Sequence, residues 1–183
     1  TTSNTSANKD DIRLVSDANN ISGEWVYFNF NKQVRLSKII TRSETNIEGR
    51  NARVISLVAS NDSSYTKNNK IIASSVIGHP TTEPDATYTK SYDYTERGKY
   101  MVFDFEGYIR NNDTYQYWGI VIQGLVGSHL GDPDGSDGGI INLEYIYFYD
   151  KDGNSLNSNI AVESFSSQYS ASWGASRLLI DNT

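Results

Sequence analysis

Apolar and polar residues alternate along much of this chain with a period of two, the repeat of an extended strand that buries one face, because successive side chains point to opposite sides. The segment from Trp25 reads WVYFNF, and after the turn-forming pair Asn31-Lys32 it resumes as VRLSKIITRS. ARVISLVAS follows from Ala52, closed by Asn61-Asp62-Ser63-Ser64, and KIIASSVI runs from Lys70. KYMVFDFEGYI, YQYWGIVIQGL and IINLEYIYFYD have the same β-branched and aromatic content, which suits a pleated surface. Residues 1–11 are polar and without period; residues 78–98 hold two of the three prolines and form an excursion with a short edge strand over 86–92. Residues 124–139 form a Gly/Asp loop, and Asp150-Lys151-Asp152-Gly153-Asn154 a turn. No helical period survives beyond a turn or two. The pattern predicts about seven half-buried antiparallel strands, hence an all-β antiparallel β-sandwich or jelly roll.

Length and composition narrow this picture. A chain of 183 residues supports one substantial core and is short for two. Its 13 Tyr, 6 Phe and 3 Trp against a single Met favour sheets over helix bundles. The 22 acidic and 16 basic residues leave a net charge of −6, with Lys and Arg scattered, so nucleic acid and anionic membrane surfaces are poor partners. No apolar run is long enough for a spanning helix, so no membrane insertion is expected. The absence of cysteine excludes disulfides, thiol nucleophiles and thiolate metal sites. A surface rich in Asn, Ser, Thr and Tyr suits an extracellular, secreted or cell- or virion-surface location, within a larger parent polypeptide or assembly such as a phage fibre or bacterial surface protein.

Catalysis is not expected. Two histidines, no cysteine, no G-x-S-x-G and no H-E-x-x-H leave neither a nucleophile arrangement nor catalytic zinc. A glycosidase needs two carboxylates across a cleft, whereas the Asp and Glu pairs here fall in solvated turns.

The succession WVYFNFNKQVRLSKIITRS, ARVISLVASND, YWGIVIQGL and NLEYIYFYD resembles a discoidin, or coagulation-factor type C, domain over residues 24–150, apart from the 78–98 excursion. That superfamily includes family 32 carbohydrate-binding modules and fucose-binding F-type lectins. The resemblance implies a galactose-binding-like jelly roll with adjacent termini and glycan recognition at its end loops. The family's opening segment, Ala-Ser-x-x-Leu-Asp-Gly, is missing before Trp25. At the other end, Ala175-Ser176-Arg177-Leu178-Leu179-Ile180-Asp181-Asn182 is similar to it. Two arrangements follow. In one, residues 1–183 form a single circularly permuted domain whose segment 166–183 supplies the opening; in the other, a domain over 1–160 is followed by the start of a second domain or a linker over 161–183.

The resemblance also implies sites. A structural calcium ion, wanting six to eight oxygens, is shared in such lectins by the opening-loop Asp and a final-strand Glu, which Asp181 and Glu144 match, with Thr183 and Asp11 as further oxygens where the ends meet. Alternation in NLEYIYF places Glu144 with Ile146 and Phe148, although an ordinary solvent-facing position is the alternative. Arg42, Glu44 and Arg50 resemble the Arg-x-Asp and following basic residue of F-type lectins, with Glu in place of Asp; the family's upstream histidine has no counterpart. His129 in the 124–139 loop and Tyr117, as a loop aromatic before WGIVI, complete the expected ligand set for a galactose- or fucose-type glycan. Trp25 and Trp118 are expected in the core. Docking on protein as a structural or adhesive domain is the alternative function. If the calcium clasp exists, chelator lowers the melting temperature, because a ligand bound only to the native state stabilises it; an unchanged melting curve with no metal in elemental analysis removes the ion.

Overall fold

Nine strands form among the residues that the computed structural model describes, namely 21, 23–42, 50–64, 69–81, 100–126, 143–166 and 178–179. They are β1 (Glu24–Val34), β2 (Lys38–Arg42), β3 (Ala52–Ser60), β4 (Lys70–Ile77), β5 (His79–Thr81), β6 (Tyr100–Asp104), β7 (Tyr115–Leu125), β8 (Tyr145–Tyr149) and β9 (Ala161–Phe165). One sheet has the order β4-β3-β7-β1-β9 and the other β5-β6-β2-β8, with antiparallel pairing throughout. Only β3–β4 and β5–β6 are neighbours both in sequence and in a sheet, so every other connection crosses between sheets or over a strand.

The inward positions of the two sheets share one core. Val26, Phe28 and Phe30 of β1 and Trp118 and Ile120 of β7 meet Ile39, Met101, Phe103, Ile146 and Phe148 of the smaller sheet. Phe148 contacts both Phe28 and Phe30 edge-on, at centroid separations of 4.8 and 5.3 Å, the geometry that ring quadrupoles favour. Leu178 is buried in this same core, and Leu179 packs against it.

The strands are not half-buried, as the alternation predicts. β3 is buried at every position but Val54. The outward positions of the large sheet carry Trp25, Tyr27, Val58 and Val121, which cluster with Ile21 and Ile71; those of the smaller sheet carry Ile40, Tyr100, Val102 and Tyr149, with Tyr147 packed against them. Large side chains at the outward positions therefore form apolar layers of their own. Trp25, expected in the core, is buried in the outer layer, whereas Trp118 sits in the central one.

Three boundaries also differ. Asn31-Lys32 does not turn the chain: Asn31 takes φ 57° inside β1, a conformation Asn tolerates, and is fixed by its N–H to Asn29 Oδ1 (2.8 Å) and its Nδ2 to Asn159 O (2.7 Å). From Asn29↔Tyr117 to Val34↔Tyr115 the chain advances five residues on β1 and two on β7, so the surplus bulges out and the strand resumes. KYMVFDFEGYI stops being strand at Asp104, whose carboxylate accepts the Glu106 N–H (2.9 Å) and starts a turn, yet Phe105 and Ile109 still reach the core. Of the described part of IINLEYIYFYD, residues 143–150, only 145–149 are strand.

Two strands have no counterpart in the expected set. His79–Thr81 pairs with β6 where an excursion is predicted, and β9 pairs with β1. Ser166 locks the end of β9: its Oγ accepts the Trp25 N–H (2.8 Å) and donates to the Glu24 carboxylate, while its own N–H reaches Trp25 O (2.8 Å). The edge of β8 is closed by the chain that follows it: the Leu156 N–H donates to Phe148 O (2.8 Å), Tyr149 bridges Ser155, and the Asn157 side chain completes the pairing. Asn157 accepts the Phe148 N–H through Oδ1 (2.8 Å) and donates through Nδ2 to Ile146 O (2.8 Å), doing what a neighbouring strand would do.

Gly119 shows how tightly the outer layer sits. A Cβ there would lie 2.6 Å from the Tyr27 ring and 2.7 Å from Val58 Cγ2. Gly119→Ala is expected to destabilise the fold by about 1–3 kcal/mol through overpacking, whereas Gly107→Ala, whose Cβ meets nothing within 4 Å, is close to neutral. Equilibrium urea unfolding of both variants checks this, and equal midpoints would refute it.

Candidate functional site

β2 runs outward from the core's far end and finishes at Arg42, which lies opposite Tyr100 on β6 and Tyr145 on β8. Alternation places Arg42 on the outward face with Ile40, while Thr41 points inward and donates to Asn51 Oδ1 (2.7 Å), tying β2 to the start of β3. The Arg42 side chain is only 2% exposed. Its guanidinium lies 5.8 Å from the Tyr145 ring centroid, and Nη1 donates to Tyr147 Oη at 3.4 Å. Tyr147 is itself edge-on to Tyr145 at 4.4 Å and tilted against Tyr100 at 6.3 Å.

Glu144 completes this cluster. Its N–H donates to Arg42 O (2.8 Å), and Oε2 sits 3.1 Å from Arg42 Nε, an ion contact without an aligned N–H. Its side chain is 42% exposed. Glu144 thus precedes β8 and belongs with outward Arg42, not with Ile146 and Phe148 in the core; the strand begins one residue later than the alternation implies. A carboxylate half in water and half against a buried cation is a fixed hydrogen-bond acceptor beside aromatic rings.

Arg50 is half-buried at the same end, next to Asn51. Tyr117 is elsewhere. It lies within β7, not in a loop, and pairs with Asn29 and Ser60 in the other sheet, so it does not join Arg42 and Glu144. Tyr115 is also in β7, stacked edge-on against Trp118 at 5.4 Å. Glu44, His129, Asp181, Thr183 and Asp11 lie outside the described residues, as do the 86–92 edge strand and most of the 124–139 loop.

Among the described residues no group of three or more His, Asp or Glu side chains could hold a metal ion. Of the expected calcium ligands only Glu144 is described, and a dication there would compete with the Arg42 guanidinium for its carboxylate. Among the described residues no helix is long and apolar enough to cross a membrane.

At the opposite end, Arg35 links the β1–β2 connection to the turn after β6. Its Nη1 and Nη2 reach both Glu106 oxygens at 3.1 and 3.0 Å, Nη2 also donates to Ile109 O (3.0 Å), and Nε to Arg110 O (3.3 Å). Ser37 Oγ adds a 2.6 Å bond to Glu106. The signal for this fork was absent from local sequence, because 71 residues separate its partners.

No family model matches this chain, and no curated protein or solved structure matches it significantly. Function therefore rests on the geometry.

The Arg35 hydrogen bonds, followed by that from Ser37, hold the Glu106 carboxyl below its ordinary value of 4.5 against the opposing effect of burial. A depressed folded-state pKa contributes stability that is present above the unfolded value and lost as pH falls through the lower folded one. Glu106→Gln is accordingly expected to flatten the decline of melting temperature below pH 4.5. The effect is small because the Glu106 side chain is 53% exposed; parallel pH profiles for variant and parent would exclude it.

Proposed function

We propose that this chain is a non-catalytic carbohydrate-binding domain, displayed outside the cell, that takes glycans at the sandwich end where β2 and β8 meet. The observation that carries this reading is the half-exposed Glu144 carboxylate held against buried Arg42 beside Tyr145 and Tyr147. A carboxylate has two oxygens that accept vicinal sugar hydroxyls, and the partly exposed Tyr147 ring, backed by buried Tyr145, offers an apolar surface to the sugar's C–H face. Glu144 is the contacting group, and Arg42, expected from the sequence to reach the ligand, acts behind it as a positioning residue. The resemblance to discoidin-like lectins points to galactose- or fucose-type sugars; the structural calcium ion it also implies would have to take the Glu144 carboxylate from Arg42.

We read residues 166–183 as part of the same domain. Leu178 in the core and Ser166 on β1 support that arrangement over the start of a second domain. A structural or adhesive role on a fibre or cell surface is the second reading, favoured by Phe165, 37% exposed on the edge strand β9.

A glycan array is expected to give hits that Glu144→Gln weakens by about tenfold or more, the scale of one charge-assisted hydrogen bond. Arg42→Met is expected to lower both binding and melting temperature, since Arg42 is packed among tyrosines. No glycan hit, together with a defined oligomer in light scattering, would replace this reading with the adhesive one. Chromogenic glycosides are expected to remain intact.

A further inference from the structure

The end of the sandwich away from Glu144 contains a shallow depression of about 300 Å³, the lower end of the range for small-ligand sites. Its two walls are rigid and polar. One is the β1 bulge, where Asn31 at φ 57° is pinned by Asn29 and Asn159 and presents Lys32 and Gln33 outward. Asn tolerates that conformation, and the surplus residues of the bulge turn the side chains that follow it toward the depression. The other wall is the turn after β8. There the Asp150 carboxylate accepts the N–H groups of Asp152 and Asn154 (both 2.9 Å) and Asn154 Nδ2 (3.0 Å), with Gly153 at φ 81°. Val34 and Leu156 supply an apolar floor.

Charge decides the ligand class. Lys32, Arg35 and Lys151 line the depression together with Asp150 and Asp152. Glu106 neutralises Arg35, and Asp152 pairs with Lys151 at 2.5 Å. Lys32 and Asp150 carry opposite unit charges, so with Glu106 counted the lining has no net charge to favour an anion or a cation. What is left exposed is a mixture of donors (Lys32, Lys151, the Gln33 amide) and acceptors (Asp152, Gln33) around a small apolar patch. Hydroxyl groups both donate and accept, and a sugar ring adds a C–H face, so this surface fits an uncharged polyhydroxylated ring.

We propose that this depression is a second saccharide site, for a neutral sugar unit, making the domain bivalent with its two sites at opposite ends. Two sites on one rigid body bind multivalent glycans more tightly than either site alone. Binding in this cavity does not require Glu144 to take sugar; the bivalency rests on the proposed site at β2 and β8.

The test is an NMR titration of the full chain with neutral monosaccharides (galactose, glucose, mannose) and with the uronic acids of the same sugars. Saturable shifts are expected at the backbone amides of residues 32–35 and 151–154, stronger for a neutral sugar than for its acid. Lys32→Ala and Asp152→Ala should each weaken this binding by about tenfold, one charge-assisted hydrogen bond, without moving the melting temperature, since both side chains are exposed. Glu144→Gln should leave these shifts intact, which separates failure of this site from failure of the one at β2 and β8. No saturable shift at millimolar sugar, or tighter binding of the uronic acids, would overturn the proposal.

Discussion

Phe148 wedged edge-on against Phe28 and Phe30 is the contact on which the rest of the molecule depends. It joins an edge strand of the small sheet to the strand flanked by β7 and β9 in the large one. Such ring pairs contribute about 0.5–1.5 kcal/mol each beyond the burial of their area. Their larger effect is geometric. With Phe148 and Ile146 inward, the period of a strand obliges Tyr145, Tyr147 and Tyr149 to point outward. The outward tyrosines then receive Arg42 and Lys38, the latter 4.5 Å from the Tyr149 ring centroid.

The same wedge sets both ends of β8. At its start, Glu144 is brought to Arg42; at its end, the Asp150–Asn154 turn is brought beside the β1 bulge. The segment after β8 holds this placement: the Asn157 amide accepts the Phe148 N–H and donates to Ile146 O, and the Leu156 N–H donates to Phe148 O, so the edge of β8 is paired by its own following chain. The burial of Arg42 follows too. A cation almost wholly removed from water needs compensation, and here it comes from a carboxylate that remains half in water, from a hydroxyl and from an aromatic face. That asymmetry leaves a buried arginine at the end of a strand supporting a half-exposed acid.

Much of the architecture was legible in the sequence. ARVISLVAS, KIIASSVI and YQYWGIVIQGL are β3, β4 and β7 with the boundaries that alternation and turn residues give them. The all-β class and the sandwich follow from the same pattern. Less of the site was legible: Arg42 and Glu144 stood out as separate candidates for sugar and for metal, and only the pairing of β2 with β8 makes them one ion pair. β5 was invisible because three residues around Pro80 carry no period, and β9 because AVESF turns only Val162 and Ser164 inward, too little apolar surface to mark a face.

Period and propensity are local properties of the chain, so for most strands they alone say which residues are extended and which faces are apolar. Which apolar faces meet depends on contacts between strands far apart in the chain. The alternation in β1 and β3 implies one wet side, yet Trp25, Tyr27 and Val58 are buried in a layer of their own. The register between strands distant in sequence decided the rest, since hydrogen-bond pairing across 71 or more residues leaves no local trace. It brought Arg35 to Glu106, Arg42 to Glu144, and Ser166 to the backbone of Trp25.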